Sequence, residues 1–152
     1  MKKKYQIMTE KGFDSWVRDM NASWETRDMS VFGNLDWFIR GDKYFIIVNI
    51  KTGKTAVACR HRDDTPCFDV ALAVAWARYR GLNVPVIAYP CIIDDLRYRD
   101  YFIYKDHKYL FRTVETVDGK TVINCYDFDD HIEKRLPAYD VLRDNEKIYK
   151  LK

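Results

Sequence analysis

Apolar side chains recur with helical spacing near the start of the chain. Four of them follow the i, i+3, i+4, i+7 pattern of one helix face: Phe13, Trp16, Val17 and Met20. The pattern predicts a short helix, with Asp14 or Ser15 as its cap and a stop near Asn21. Residues 30–40 have a mixed pattern, with turn signals at Gly33-Asn34 and Gly41-Asp42.

The clearest local signal is a β-hairpin over residues 43–59. Two runs rich in β-branched and aromatic residues, 44–50 and 55–59, are joined by the turn 51–54, which contains Gly53. The first run is apolar on both faces. It is therefore expected to be covered on both sides or to lie inside the sheet.

An alanine-rich helix is predicted over residues 69–81. Asp69 can cap its start, and Gly81 can close it in the left-handed conformation. The helix is apolar nearly all round until Arg78, so we expect it to be buried against the hairpin.

The second half of the chain reads mainly as strands. Residues 84–90, bounded by Pro85 and Pro90, favour a linker or an edge strand. Three strand-like runs follow, at 101–104, 109–114 and 121–126, with a strong Asp118-Gly119 turn signal between the last two. The expected fold is α+β: a hairpin on a buried helix (residues 1–90), followed by a small curled sheet or SH3-like barrel (residues 91–152).

Composition supports a folded domain. Apolar residues make up 47% of the 152-residue chain, well above the content of disordered chains. We find neither an apolar run of about 18–20 residues nor a signal-peptide core, so a cytoplasmic protein is expected. The four cysteines lack paired spacing and are expected to be reduced thiols.

Charge and aromatic content bear on the function. The net charge of +3 is too small and too evenly spread for a dedicated nucleic-acid arm. Aromatic residues reach 15%, including 11 tyrosines. Tyrosine is enriched where a surface is covered by another molecule, so a binding protein is favoured.

Two segments are candidate binding sites. Residues 97–104 interleave cationic and aromatic side chains that can stack on bases or anchor an interface, and an acidic turn at 127–130 could imitate phosphates toward a basic groove. A solvated turn or strand edge is the plainer reading of both. The predicted binding residues are Arg97, Tyr98, Arg99, Tyr101, Tyr104, Asp127, Asp129 and Asp130.

The sequence does not favour metal binding or a nucleophilic centre. Cys59, His61 and Cys67 offer three potential ligands, but the tight cysteine pairs of structural zinc sites are missing. Asp63, Asp64 and Asp69 could hold a divalent cation, yet they are better read as a helix cap and as partners of nearby arginines; zinc deaminase motifs are lacking. We therefore expect no cofactor, no metal and no catalytic residue.

One block resembles a known group of proteins. Val57-Ala58-Cys59, the loop from Asp64 to Asp69 with Phe68, and Ala71–Ala75 resemble a block in small proteins encoded by phages and prophages of Gram-positive bacteria. The resemblance lies within the segment from Thr55 to Gly81, about 27 of the 152 residues. It implies a mobile-element origin, and some small phage proteins of this build inhibit bacterial immunity, including anti-CRISPR proteins.

These observations lead to three hypotheses. The first is a non-enzymatic inhibitor that covers a host protein or ribonucleoprotein complex, with aromatic side chains as anchors. The second is a nucleic-acid-binding accessory protein that uses Lys2–Lys4, Arg97, Arg99 and the tyrosines. The third is a small metal-dependent hydrolase.

Overall fold

A computed structural model describes residues 3–60, 67–143 and 148–152. The elements in chain order are β1 (Ile7–Met8), α1 (Glu10–Glu25), α2 (Met29–Phe32), β2 (Leu35–Arg40), β3 (Tyr44–Asn49), β4 (Thr55–Cys59), α3 (Phe68–Tyr79), β5 (Val86–Cys91), β6 (Tyr101–Tyr104), β7 (His107–Val117), β8 (Lys120–Asp127), β9 (Ile132–Pro137), α4 (Ala138–Arg143) and β10 (Ile148–Leu151). The predicted α+β class is confirmed.

The chain forms two compact units, one of residues 10–84 and one of residues 1–9 with 85–152. This division differs from the predicted boundary at residue 90. The difference arises because β5 pairs with β10 on one side and with β1 on the other, which joins both ends of the chain in one sheet.

The unit of residues 10–84 is built around the predicted helix and hairpin. β2, β3 and β4 form an antiparallel sheet with β3 in the middle, which confirms that the first hairpin strand lies inside the sheet. The inner face of the sheet packs on α3, and α1 packs on α3 in turn. Trp76 is almost fully buried at the centre, with edge-on contacts to Trp24 and Phe32 at ring separations of 5.2 Å.

The predicted N-terminal helix is present and longer than expected. α1 spans residues 10–25, and its buried side chains Val17, Met20 and Trp24 lie on one face. It continues past Asn21 because that face still has apolar residues to bury, and Trp24 supplies the next turn.

The two ends of α3 differ in how well the sequence predicted them. Gly81 closes the helix at φ +72°, where the Leu82 N–H donates to the Ala77 carbonyl and the Gly81 N–H donates to the Arg78 carbonyl. That pattern is a Schellman motif, which confirms the predicted stop. The predicted cap is wrong, because Cys67 occupies the N-cap position and Asp69 lies inside the first turn.

The second unit contains one seven-stranded sheet in the order β1-β5-β10-β6-β7-β8-β9. The predicted strands at 101–104, 109–114 and 121–126 are all present. Two-residue turns with positive φ, Lys105-Asp106 and Asp118-Gly119, join β6 to β7 and β7 to β8. The core of this unit includes Phe102, Ile123 and Cys125, all with exposures of 0%.

Two details of this unit differ from expectation. Of the two expected forms, a small curled sheet or an SH3-like barrel, the structure has a sheet, and it is open, mixed and larger because β1, β5 and β10 extend it beyond the local meander of β6 to β9. The segment 84–90 is not a linker or an edge, since β5 lies between β1 and β10. Pro90 is accommodated because β1 reaches only Val86 and Ile87.

Candidate binding surface

The predicted acidic turn is an internal network. Asp127 has an exposure of 0%. Its Oδ2 accepts hydrogen bonds from the Lys134 Nζ at 2.7 Å and pairs with the His107 Nδ1 at 2.8 Å. Its Oδ1 accepts the backbone N–H groups of Asp129 and Asp130 at 2.8 and 3.0 Å. Asp127 therefore closes the β8–β9 turn and cannot face a partner.

The other two carboxylates of the turn are also engaged. Asp129 accepts from the Tyr5 hydroxyl, from the Lys4 ammonium and from the Lys108 backbone N–H at 2.8 Å. Asp130 is about half exposed and binds the Lys134 Nζ at 2.6 Å. The predicted phosphate-like surface is therefore largely neutralised within the chain, because Lys4 and Lys134 supply counter-charges that local sequence did not reveal.

The electrostatics of Asp127 agree with this role. Burial alone would raise the pKa of its carboxyl, but the hydrogen bonds from Lys134, from the backbone and from His107 outweigh burial and hold that pKa well below its usual range. The hydrogen bonds that the Lys134 ammonium donates to Asp127 and Asp130 raise the pKa of this ammonium group. The pair is thus ionised at neutral pH.

The geometry of a metal site exists in this network but its ligands are in use. His107, Asp127 and Asp129 bring three potential ligand atoms within 4.8 Å of one another. Lys134 and Lys4 already bind the two carboxylates, so a cation would have to displace both ammonium groups. The arrangement is that of a structural turn.

The predicted arginine–tyrosine segment forms a tight turn. The Asp100 N–H donates to the Arg97 carbonyl at 2.9 Å, and the Asp100 carboxylate accepts from the Arg97 N–H at 2.7 Å. Arg99 has φ +74°, an uncommon value for a residue with a side chain. Tyr98, at the tip, is 63% exposed, and the Arg99 guanidinium lies 5.4 Å from its ring centre.

The two remaining predicted tyrosines differ in position. Tyr101 is exposed, and the Lys108 ammonium lies 5.0 Å from its ring centre and 5.6 Å from that of Phe128. Tyr104 is 4% exposed and belongs to the core, so the prediction that it lies on a binding surface is wrong. It points inward because β6 is buried along residues 102–104.

The structure describes only some of the cysteine, histidine and aspartate residues that the sequence offers as possible metal ligands. His61, Asp63 and Asp64 lie outside the described residues. Cys59 and Cys67 are exposed thiols. Asp69 is exposed as well, and its backbone carbonyl accepts a hydrogen bond from the Asn21 side chain at 3.1 Å.

The sequence interpretation missed one exposed apolar surface, which lies on β2. On β2, three consecutive large side chains are exposed: Trp37 by 40%, Phe38 by 45% and Ile39 by 54%. They lie between the turn signals Gly33-Asn34 and Gly41-Asp42, a spacing that could have indicated a strand.

Both sheet faces contribute to this surface. On the inner side, the Trp37 ring lies 5.3 Å from the Phe45 ring and 5.0 Å from the exposed Phe68 ring at the start of α3. On the outer side, the register places Phe38, Ile46 and Val57 in a row across the three strands. We call the exposed members of this surface the β2 patch: Trp37, Phe38, Ile39, Val57 and Phe68.

Side chains cap backbone groups at both edges of this small sheet. The Trp37 N–H, which points away from β3, donates to the Asp36 carboxylate at 2.8 Å. On β4, the Val57 carbonyl accepts from the Arg78 guanidinium at 2.9 Å. Such caps weaken pairing with a further strand at these two positions.

A pocket adjoins the patch. It has a volume of about 650 Å³ and lies among the start of β3, the end of β4 and α3. Ile39 and Phe68 are shared between the pocket and the β2 patch. The pocket therefore continues the inner-face part of the patch, whereas Phe38 and Val57 lie on the outer face of the sheet.

Comparisons with protein-family models, curated proteins and solved structures found no match to this chain. Functional inference therefore depends on the geometry described above. Among the described helices, none is long and apolar enough to cross a bilayer.

Proposed function

We propose that this protein is a non-enzymatic binding protein that uses the β2 patch to cover a surface of a partner protein. The observation that carries the proposal is the run of three consecutive large apolar side chains, each at least 40% exposed, on β2. Phe38 lies on the outer face of the sheet, and Trp37 and Ile39 lie on the inner face, so this edge strand exposes apolar side chains on both sides. Isolated exposed apolar residues are ordinary, but several on one strand with aromatic members are typical of an interaction site.

The surroundings of the patch favour a protein over a nucleic acid. Asp36 and Arg40 flank the apolar run on β2, and Asp42 and Lys43 follow it in the next turn. This rim contains both signs of charge. A nucleic-acid surface needs an excess of cations to neutralise phosphates, whereas an apolar centre with a mixed polar rim is the usual anatomy of a protein interface.

The geometry also favours side-chain docking over strand addition. A partner that added a strand would pair with the free edge of β2, where the Trp37 N–H is already engaged by Asp36. The partner we propose therefore contacts the side chains of β2 from both faces, Phe38 on the outer face and Ile39 on the inner face, rather than adding an extended backbone.

In the cell, the protein would act as an inhibitor. The resemblance of residues 55–81 to a block in phage and prophage proteins suggests a role in the bacterial cytoplasm, where the chain would block a host defence or nucleic-acid-handling complex of the kind that anti-CRISPR proteins inhibit. The physical mechanism is occlusion, which requires affinity and a covering surface but no reactive centre.

The test is differential capture from a bacterial lysate. Immobilised wild-type chain, Phe38→Ser and Ile50→Ser are compared by quantitative mass spectrometry. Ile50 is 71% exposed in the same unit but lies in a turn outside the patch, so it is the matched control. A partner should bind wild type and Ile50→Ser equally and lose at least tenfold in affinity for Phe38→Ser, about 1.4 kcal/mol. Equal capture by all three chains would refute the role of the patch.

A second candidate is a nucleic-acid-binding accessory protein. The observation in its favour is the cation–aromatic group of Tyr98, Arg99, Tyr101 and Lys108 in the other unit. Stacking on bases and charge neutralisation would then give an affinity that falls steeply with salt. Fluorescence anisotropy with a labelled single-stranded oligonucleotide at increasing salt tests it, and a flat salt dependence would exclude it.

A further inference from the structure

The pocket beside the β2 patch has walls that are mostly apolar. The side chains that line it from the sheet and from α3 are Ile39, Phe45, Ala58, Phe68, Val70, Ala71 and Val74. Its volume of about 650 Å³ is within the roughly 300–1,000 Å³ typical of small-molecule sites. The small side chains of α3 create this space, because alanine at position 71 leaves room where a larger residue would reach the sheet.

The described charged residues that line the pocket are mainly cationic. Within the described part of the chain, Lys43, Arg60 and Arg78 line it, against one carboxylate, that of Asp42. Arg78 is held in place because its guanidinium donates to the Val57 carbonyl at 2.9 Å. Lys43 is exposed and lies beside Tyr44, with its ammonium 5.6 Å from that ring centre.

From this combination we propose that the pocket binds an amphipathic carboxylate, an aliphatic or aromatic body with one anionic group. The apolar part would be removed from water against Phe45, Phe68 and Val74, and the carboxylate would lie toward Lys43 and Arg78. A neutral analogue would lose the charge interaction, and a cationic one would be repelled. This proposal does not depend on the proposed function of the β2 patch.

Isothermal titration calorimetry of the full chain with three probes tests the proposal. The probes, all at neutral pH, are decanoate and decylammonium below their critical micelle concentrations and decanol below its solubility limit. We expect decanoate to bind at least tenfold more tightly than decanol, and decylammonium to bind more weakly than both. Equal affinities for decanoate and decanol, tighter binding of decylammonium, or no heat with any probe would overturn the proposal.

Variants locate the binding. Lys43→Gln should weaken decanoate binding severalfold, whereas Lys51→Gln, which removes the same charge in a turn outside the pocket, should not. Ala71→Trp should abolish binding of both decanoate and decanol by filling the space. Far-UV circular dichroism verifies that each variant is folded. If Ala71→Trp does not fold, Lys43→Gln still tests the proposal, because it changes only an exposed side chain. Unchanged binding in Lys43→Gln, or an equal effect of Lys51→Gln, would overturn the assignment.

Discussion

Replacing Asp127 with asparagine should strongly destabilise the unit that contains the seven-stranded sheet. The amide oxygen can still accept the two backbone N–H groups that reach Oδ1. The new NH₂ group, however, replaces Oδ2, which accepts from Lys134 and pairs with His107. A donor inside the buried site would then face the partly exposed Lys134 ammonium group.

The expected cost follows from these contacts. Hydrogen bonds to charged groups contribute about 1.5–3 kcal/mol each, and breaking a buried ion pair costs about 3–5 kcal/mol. Allowing for partial exposure of Lys134 and His107, we expect a loss of about 3 kcal/mol in the free energy of unfolding. This is a large fraction of the roughly 5–15 kcal/mol that ordinary domains possess.

Asp130→Asn is the matched control. Asp130 belongs to the same turn and binds the same lysine at 2.6 Å, but its side chain is 48% exposed. Exposed ion pairs contribute about 0–1 kcal/mol, so this variant should change stability little. If Asp127→Asn is no more destabilised than Asp130→Asn, burial does not decide the strength of the network.

The assay is urea unfolding followed by far-UV circular dichroism. All four tryptophans, at positions 16, 24, 37 and 76, belong to residues 10–84, so their fluorescence reports on the other unit. A change confined to the tryptophan signal would contradict the assignment of the effect to the β8–β9 turn.

The pH dependence provides a second readout. The pKa of Asp127 is lower in the folded chain than in the unfolded chain, so the carboxylate contributes stability that is complete above the unfolded pKa of about 3.9. That contribution is lost as pH falls through the unfolded value toward the folded one. The stability difference between wild type and Asp127→Asn should therefore be largest near neutral pH and shrink in strong acid, whereas a constant difference would contradict the linkage.

Two further predictions concern the cysteines and one glycine. Cys59 and Cys67 should react with Ellman's reagent in the native protein because their thiols are exposed. Cys125 should react only after unfolding, because it is buried and burial raises the pKa of its thiol to about 12. Rapid reaction of all four thiols would contradict this prediction. Gly81→Ala should lower the free energy of unfolding by about 1 kcal/mol, because residue 81 has a φ of +72°, which is unfavourable for alanine. The added Cβ meets no neighbour within 4 Å, so the cost comes from the backbone conformation alone. Gly81→Asn should cost less in the same urea titration, because asparagine tolerates this conformation better. Equal stability of Gly81→Ala and wild type would contradict the strain.

Local patterns predicted the elements whose partners are close in sequence. The period of α1, the hairpin of β3 and β4, the Gly81 stop and the Asp118-Gly119 turn each follow from a few neighbouring residues. The candidate site was predicted less well. Asp127 looked like part of a solvated turn, and its buried state depends on Lys134 and His107 from neighbouring strands.

What the sequence determined by itself was therefore the periodicity of single elements and the chemistry of tight turns. The pairing of β1 with β5, the interior position of β5 and the exposure of β2 were decided by the tertiary structure. The physical reason is that periodicity shows which side chains share a face of an element, whereas burial depends on which distant segment covers that face. Trp37, Phe38 and Ile39 have the composition of a core strand, and they lie at the surface because they occupy an edge strand whose neighbours leave them exposed.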